Sequence, residues 1–169
     1  MGLIRGDARF LPLRDTCVDC VVTSPPYWGL RSYPDAKQIG LEPPPDTYVA
    51  QLLVVFAEVW RVLKPTGTVW LNLGDSYAGA GTIGRNDTTP EALSRRAERY
   101  ATGRGNGSLV GHQGIRPQVE ELKSKNLVGI PWRVAFALQA AGWYLRSDII
   151  WHKPNQMPES VTDRPTKAH

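Results

Sequence analysis

The chain has 169 residues, of which 41% are hydrophobic and 21% are charged, and its formal net charge is +4. This composition excludes a mostly disordered chain, and the length suits one ordinary domain. No apolar stretch approaches the roughly 20 residues that a membrane-spanning helix needs, and no secretory signal is visible, so we expect a cytoplasmic protein without a membrane partner.

The first segment predicts a strand, a turn and a second strand. The short apolar stretch Leu3–Arg5 is interrupted by Gly6 and Asp7. Val18–Thr23 is rich in β-branched residues and almost continuously apolar, which predicts a strand that is buried on both faces of a sheet. Ser24–Pro26 ends this strand, because neither proline can donate a hydrogen bond to a sheet ladder.

A helix and another strand follow. Asp46 is a good N-cap residue, and apolar residues then recur at helical spacing on one face. These residues are Val49, Leu52, Leu53, Phe56, Trp60 and Leu63. Lys64–Gly67 is predicted to end the helix, and Thr68–Leu73 is predicted to form a second central strand, closed by Gly74 and Asp75.

Residues 79–118 differ from the rest of the chain because they are rich in glycine and arginine. We expect a flexible insertion within the domain, since structureless loops of such length are usually functional or disordered. A short helix over residues 90–100 is the one element that it suggests. Its arginines have two interpretations, an ordinary solvated loop or a flap that neutralises DNA phosphates, and we favour the flap.

The last block continues the alternation of helix and strand. Pro131 suits the first turn of a helix, whose apolar face continues through Leu138, and Gly142 is predicted to end it. Trp143–Trp151 is strand-like. Strands that alternate with helices through short turns predict an α/β fold in which helices flank a parallel sheet.

Metal binding is not indicated by the cysteines or the histidines. Cys17 and Cys20 form a single CxxC pair, which is too few cysteines for a zinc ribbon, so we expect both to be small buried or loop residues in a reduced cytosol. The histidines, His112, His152 and His169, are dispersed along the chain.

The most informative residues are Thr23-Ser24-Pro25-Pro26-Tyr27-Trp28. They follow a buried strand, at the edge where open α/β sheets place their ligands. A Pro-Pro turn can simply stop a strand. A hydroxyl, two prolines and two adjacent aromatic residues in one short turn favour a functional site instead.

The chemistry of this turn suits methyl transfer to the exocyclic amine of a nucleobase. The lone pair of such an amine is delocalised into the ring, so a site must hold its N–H bonds with two acceptors. The Ser24 hydroxyl and the Pro25 carbonyl would supply them, and Pro26 has no competing N–H. Tyr27, with Trp28 beside it, offers a ring face on which a flipped base can stack. The attack is direct and requires no metal.

The sequence resembles the amino-methylating DNA methyltransferases, whose motif is (D/N/S)PP(Y/F). The resemblance covers nearly the whole chain apart from the insertion. Its further segments are Arg5–Asp7 with Leu11-Pro12, Gln38–Glu42, Tyr48–Tyr77, Gly129–Asn155 and Thr162–His169.

This resemblance implies a Rossmann-like methyltransferase sheet that uses S-adenosylmethionine. A catalytic motif near the N-terminus marks the permuted, β-type members, whose glycine loop for the cofactor comes later in the chain. Gly103–Gly107 is glycine-rich but follows no strand, so it does not match that loop. We therefore expect residues 1–169 to form part of the catalytic domain, and a missing C-terminal segment or another chain to complete the sheet.

The resemblance also implies the reaction and the residues that carry it. The reaction is site-specific methylation of double-stranded DNA, as in restriction–modification, and a serine at the head of the motif favours cytosine N4 over adenine N6. The implied catalytic residues are Ser24, Pro25, Pro26 and Tyr27; the cofactor-binding residues are Asp7, Thr23, Ser24 and Pro25; and the substrate or DNA residues are Trp28, Asp75, Lys153 and Asn155.

Several alternatives stay open from the sequence. Asp7 can be a turn aspartate, and Asp75 either faces the site or caps the turn that follows it. Related enzymes methylate RNA or a protein glutamine amide, but their glycine loop usually precedes the motif, and the residues before Ser24 leave no room for it. The chain can also be an inactive remnant of a methyltransferase that binds DNA weakly at most.

Overall fold

The computed structural model describes residues 2–29, 38–42, 44–78, 119, 122, 123 and 125–155. In this part of the chain the elements are strand β1 (Val18–Thr23), helix α1 (Pro45–Val62), strand β2 (Leu63–Leu71) and helix α2 (Ile130–Ala140). The predicted insertion over residues 79–118 lies outside the described residues. No helix among the described residues has both the length and the apolar character that crossing a membrane requires.

Strands β1 and β2 pair in parallel, which confirms the predicted parallel arrangement. The partners at their carboxyl ends are Val22 with Trp70 and Thr23 with Leu71. A parallel pair needs a long crossover connection, and α1 lies within it. The pairing continues beyond the strands, because the backbone N–H of Asn72 donates to the Thr23 carbonyl at 2.9 Å. The segments that follow β1 and β2 therefore leave the same edge of the sheet side by side.

Only one face of this strand pair is covered by the described residues. Val21, Val69 and Leu71 pack against the hydrophobic core. On the other face, Val22 is 79% exposed and Trp70 is 53% exposed. The prediction that β1 is buried on both faces is therefore wrong for this part of the chain, because a continuous apolar run does not specify what covers either face.

Helix α1 begins slightly earlier than predicted. Pro44 occupies the N-cap position without a side-chain hydrogen bond, and Pro45 lies in the first turn, where its missing N–H leaves nothing unpaired. Asp46 is therefore not the N-cap. Its carboxylate forms an ion pair with Arg133 of α2 at 3.0 Å, so it joins the two helices.

The buried face of α1 also differs in part from the predicted one. Its buried residues are Pro45, Tyr48, Val49, Leu52, Phe56, Val59 and Val62. Trp60, predicted on that face, is half exposed and packs edge-on against Trp143 at a centroid distance of 4.8 Å. Lys64–Gly67 does not end the helix as a loop, since β2 starts directly at Leu63 and contains these residues.

The end of α2 confirms the role predicted for Gly142. The helix begins at Ile130, with Pro131 in its first turn, and ends at Ala140. Gly142 has a φ of 101°, and its N–H donates to Gln139 while that of Trp143 donates to Leu138, both at 3.0 Å. This is the Schellman pattern, in which glycine adopts the left-handed conformation without strain.

Two predicted strands are absent from the described residues. Leu3–Arg5 and Trp143–Trp151 are irregular, and their apolar side chains, such as Ile4 and Trp151, are largely exposed. A strand exists only when another strand pairs with it, and neither segment pairs with a described residue.

Cys20 also departs from the prediction, because it is exposed within β1, whereas Cys17 lies in the preceding loop.

Arg61 ties the loop before β1 to the end of α1. Its guanidinium donates to the carbonyls of Leu11 and Leu13, at 3.1 and 3.0 Å, and forms ion pairs with Asp15 and Glu58. Glu58 also accepts the backbone N–H of Leu11 at 2.8 Å. The hydrogen bond from Arg61 lowers the pKa of Glu58. Polar contacts thus set the path by which the chain enters the sheet.

The hydrophobic core lies between α1, α2 and the turn that follows β1. Its largest fully buried side chains are Trp28, Tyr48, Phe56, Leu52, Ile130, Val62 and Val134. Trp28 belongs to the turn singled out by the sequence, so this turn is anchored directly in the core of the protein.

Candidate active site

The Ser24–Trp28 turn lies at the carboxyl edge of the parallel strands. It leaves β1 beside residues 72–75, which leave β2 at the same edge. Parallel α/β sheets bind ligands at this edge because several loops converge there. The structure therefore brings the proline-rich turn and the Gly74-Asp75 segment together, as the strand order predicts.

Two hydroxyl groups meet at the exposed side of this turn. The Ser24 hydroxyl donates to the Tyr27 hydroxyl at 3.3 Å. Ser24 is exposed, whereas Pro25, Pro26 and Tyr27 are half-buried. The turn thus presents polar oxygen atoms to solvent while its prolines are partly embedded in the protein.

Gly74 allows the Tyr27 ring to approach the end of β2 closely. A Cβ atom at position 74 would lie only 2.8 and 2.9 Å from Cδ2 and Cε2 of Tyr27. Any residue other than glycine would therefore displace the ring. The sequence suggested only that Gly74 closes the strand, and nothing local indicated this contact.

Helix α1 holds the turn from behind through Tyr48. This side chain is fully buried, and its hydroxyl donates to the Pro26 carbonyl at 2.9 Å. Burial, followed by the nearby charge of Glu42, raises the pKa of Tyr48. The hydroxyl consequently keeps its proton and remains a donor. Tyr48 was missed by sequence reasoning, although it opens the apolar face of α1.

The Trp28 side chain is directed into the core. Its indole is 1% exposed, and its Nε1–H donates to the Glu42 carbonyl at 2.8 Å. The Trp28 carbonyl accepts a hydrogen bond from the Ser76 hydroxyl at 3.2 Å. The Trp28 ring therefore has no open face on which a base could stack, whereas the Tyr27 ring is half-buried.

Residues 38–42 close the turn on its other side. The Gly40 carbonyl accepts the N–H of Gly29, and Gly40 donates its own N–H to Glu42 Oε2, both at 2.8 Å. Gly40 has a φ of 106°, and a Cβ there would lie 3.2 Å from the Tyr27 carbonyl oxygen. Both the conformation and the close approach require glycine at this position.

Asp75 caps helix α2. Its Oδ1 accepts the N–H groups of Gly129 and Ile130, each at 3.0 Å, and also that of Ser76 at 2.8 Å. A carboxylate at this end complements the positive end of the helix dipole. The sequence left open whether Asp75 faces the site or caps the turn that follows it. Besides accepting the N–H of the next residue, Ser76, the carboxylate caps a helix far along the chain, a role that the sequence did not suggest.

Asp7 and Thr23 occupy different environments. The Asp7 carboxylate pairs with Arg9 at 2.6 Å and also accepts the backbone N–H of Arg9 at 2.9 Å, in an exposed turn. Both carboxylate oxygens of Asp7 thus already have a protein partner, Arg9. Thr23 is the half-buried last residue of β1, and its backbone belongs to the edge that carries the turn.

Lys153 and Asn155 are exposed in the irregular segment after Trp151. Among the hydrogen bonds and ion pairs of the described ranges, none joins either side chain to the Ser24–Trp28 turn. The structure therefore places seven of the ten predicted site residues at or beside the carboxyl edge of the strands: Thr23, Ser24, Pro25, Pro26, Tyr27, Trp28 and Asp75. Asp7 lies in the exposed turn before β1, and Lys153 and Asn155 lie in the exposed segment after Trp151. In the same ranges, no three His, Cys, Asp or Glu side chains group as metal ligands.

Comparison with known proteins identifies relatives over almost the whole chain. The model of a family described as DNA methylase matches residues 18–169. The chain is 48% identical to the type II methyltransferase M.SmaI of Serratia marcescens, over 99% of this chain and 52% of that protein. It is 47% identical to M.Cfr9I of Citrobacter freundii, over 99% and 51%, and 40% identical to M.SfiI of Streptomyces fimbriatus, over 91% and 30%.

These relatives are considerably longer than the chain. The chain spans about half the length of the first two. No solved structure matches it.

Proposed function

Since the chain belongs to the DNA methylase family, we propose that the protein transfers a methyl group from S-adenosylmethionine to the exocyclic amine of a base in double-stranded DNA. We further propose that cytosine N4 is favoured over adenine N6, because serine heads the Ser24-Pro25-Pro26-Tyr27 motif. The observation that carries the proposal is the position of this turn, which is exposed at Ser24 and anchored from behind at Pro26.

The geometry supports distinct roles for the oxygen atoms of the turn. The Pro26 carbonyl is engaged by Tyr48, so it is not the acceptor that we assign to the substrate. The Ser24 hydroxyl and the Pro25 carbonyl are the acceptors that hold the two N–H bonds of the amine. The nitrogen lone pair is then free to turn out of the conjugated ring toward the methyl group, and positioning of this kind lowers the barrier to reaction.

The Ser24 hydroxyl can bind the substrate without losing its present partner. It donates to Tyr27 at 3.3 Å in the present structure, a long contact for two hydroxyls. As an acceptor, the Ser24 oxygen can receive an amine N–H while it keeps this donation. The Tyr27 ring, which lies against Gly74, supplies the surface on which a flipped base stacks.

The residues at this edge fit a sulfonium-bearing methyl donor. Thr23, Ser24 and Pro25 offer uncharged oxygen acceptors beside an aromatic ring, which suit a cation. We assign these three residues to holding it, together with the carboxylate of Asp7 in the turn before β1. When bound, S-adenosylmethionine supplies an electrophilic methyl group. The amine nitrogen forms the new N–C bond as the S–C bond breaks, S-adenosylhomocysteine leaves with the electron pair, and the nitrogen then loses one proton to solvent.

Contacts with DNA and completion of the fold are the remaining parts of the proposal. We assign Lys153, Asn155 and the arginines of residues 79–118 to contacts with DNA. The cationic side chains among them would bind phosphates, which adds affinity but does not select a DNA sequence. The strand pair belongs, in this proposal, to a larger Rossmann-like sheet completed by further polypeptide or by another chain. The length of the relatives supports this, and the exposed face at Val22 and Trp70 supports further polypeptide that covers the strand pair.

Product analysis tests the reaction directly. The full-length protein is incubated with duplex DNA and S-adenosylmethionine, and the nucleosides are separated and identified by mass. We expect N4-methylcytosine. N6-methyladenine would refute the proposed preference for cytosine but would still support methylation of an exocyclic amine. If no methylated base forms on genomic DNA that lacks such methylation beforehand, the chain is an inactive remnant of a methyltransferase.

A serine variant tests the assigned role of the motif. Ser24→Ala should lower kcat by about 100-fold, the scale measured when one positioned hydrogen-bonding group is removed from an active site, while duplex affinity changes by less than about threefold. Ser147→Ala is the matched control, because that exposed hydroxyl donates, among the described residues, to the neighbouring carbonyl of Asp148. Equal losses of turnover and DNA affinity in Ser24→Ala would contradict the role.

A further inference from the structure

We propose that Tyr48 is a positioning residue for methyl transfer, acting on the catalytic turn through the Pro26 carbonyl. This inference rests on the proposed function and assigns to the same site a residue of helix α1. Tyr48 touches no reacting atom in this proposal. Its hydroxyl fixes the backbone from which the reacting groups project.

The contact fixes a peptide plane within the motif. The Tyr48 hydroxyl donates to the Pro26 carbonyl at 2.9 Å, and the peptide bond that joins Pro26 to Tyr27 is planar. Holding its oxygen therefore also sets the direction of the Tyr27 N–H and Cα. The preceding plane carries the Pro25 carbonyl, and the ring of Pro26 restricts φ between the two planes.

Tyr48 acts together with a second close approach to the same backbone. Gly40 lies so close that a Cβ there would be 3.4 Å from the Pro26 oxygen and 3.2 Å from the Tyr27 oxygen. The 38–42 segment is braced by Glu42, which accepts the Gly40 N–H at 2.8 Å. The Pro26–Tyr27 backbone is consequently approached both by α1 and by this segment.

Core packing alone does not require a hydroxyl at position 48. Tyr48 is 0% exposed among apolar neighbours, where a phenylalanine ring would fill nearly the same volume. A buried hydroxyl is tolerated only when it is hydrogen-bonded. The partner of the Tyr48 hydroxyl is the carbonyl of Pro26, which belongs to the Ser24-Pro25-Pro26-Tyr27 motif. Val59, on the same face of α1, is also buried and serves packing only, so it provides a direct comparison.

The experiment compares Tyr48→Phe with Val59→Ala in the full-length protein. We expect Tyr48→Phe to lower kcat by about tenfold, because the loss of one hydrogen bond raises the activation barrier of methyl transfer by a corresponding amount. The KM for DNA and the Kd of S-adenosylmethionine should stay within about threefold of the wild-type values. Val59→Ala creates a cavity and should lower the Tm at least as much, yet retain kcat. Loss of packing alone is not expected to lower kcat while leaving KM unchanged.

Hydrogen exchange gives a readout that does not depend on activity. The Gly29 amide, which donates to Gly40, should exchange faster in Tyr48→Phe than in wild type or Val59→Ala, because the turn loosens. Wild-type kcat in Tyr48→Phe, or equal loss of kcat in both variants, would overturn the inference. If the wild type methylates no DNA base, the proposed function fails, and unchanged Gly29 exchange in Tyr48→Phe would then overturn the positioning role as well.

Discussion

Asp75 Oδ1 accepts the backbone N–H of Ile130 at 3.0 Å, between residues 55 positions apart in the sequence. This contact joins the segment after β2 to the first turn of α2. The N-cap position itself is taken by Gly129, which has no side chain to offer a helix that begins with unpaired N–H groups. A residue next to the candidate active site thus supplies the cap that the local sequence lacks.

Removal of this cap should destabilise the protein. Asp75→Ala should lower the free energy of unfolding by about 1 kcal/mol, within the 0.5–2 kcal/mol range typical of N-cap replacements. Asp75→Asn keeps an acceptor oxygen and should have a smaller effect. Urea unfolding of both variants measures the difference. A tenfold loss of DNA affinity in Asp75→Asn, with unfolding unchanged, would instead assign this side chain to DNA.

Gly74 should be intolerant of even one methyl group. The added Cβ of Gly74→Ala would lie 2.8 Å from the Tyr27 ring, and the half-buried ring can swing outward more easily than the strand can move. We expect kcat to fall about tenfold, equivalent to roughly 1.4 kcal/mol of barrier, with little change in Tm. Steady-state methylation assays measure this effect.

A double-mutant cycle separates the ring contact from a general backbone effect. In a Tyr27→Ala background, Gly74→Ala should cause no further loss of kcat, because the clashing ring is gone. Gly2→Ala is the matched glycine control, since a Cβ at position 2 has no neighbour within 4 Å. Additive losses in the double variant would contradict the proposed contact.

The elements that could be predicted are those set by neighbouring residues. Val18–Thr23 becomes β1 because its β-branched residues favour a strand and the prolines after it cannot extend one. Gly142 ends α2 because the Schellman pattern involves residues that are close in sequence. The position of the motif at the edge of the sheet follows from strand order alone.

The contacts that could not be predicted join distant parts of the chain. The Tyr48–Pro26 hydrogen bond links residues 22 positions apart, and no local pattern shows which side chain of α1 meets the turn. Trp143–Trp151 has strand-like composition, but composition does not provide a pairing partner. The inward direction of the Trp28 side chain was likewise missed. In an irregular turn, the sequence does not specify the direction in which each of two adjacent aromatic side chains points.

High pH should destabilise the protein partly through Tyr48. Burial raises its pKa above the ordinary value of about 10.0, so the folded state keeps a proton that the unfolded state releases. The stability linked to this residue is fully present below pH 10 and is lost as the pH rises through the folded-state pKa. Urea unfolding should therefore show a steeper decline above pH 10 in wild type than in Tyr48→Phe. Parallel curves for the two proteins would contradict this effect.

Low pH should act through Glu58 at the opposite end of α1. The hydrogen bond from Arg61 lowers the pKa of Glu58 below its ordinary value of 4.5, so its contribution is present above pH 4.5 and is lost as the pH falls through the folded-state pKa. The Tm of wild type should consequently fall more steeply below pH 5 than that of Glu58→Gln, which has no carboxylate to titrate.

Asp148→Asn is the matched control for this acid effect, because it removes an exposed carboxyl from the irregular segment after α2. Its Tm should follow the wild-type dependence on pH. Arg61→Met should behave like Glu58→Gln, since the carboxylate then loses the partner that lowers its pKa. If Glu58→Gln kept the full acid sensitivity of wild type, the decline would have to arise at other carboxylates, and the Arg61–Glu58 pair would only guide the path of the loop into β1.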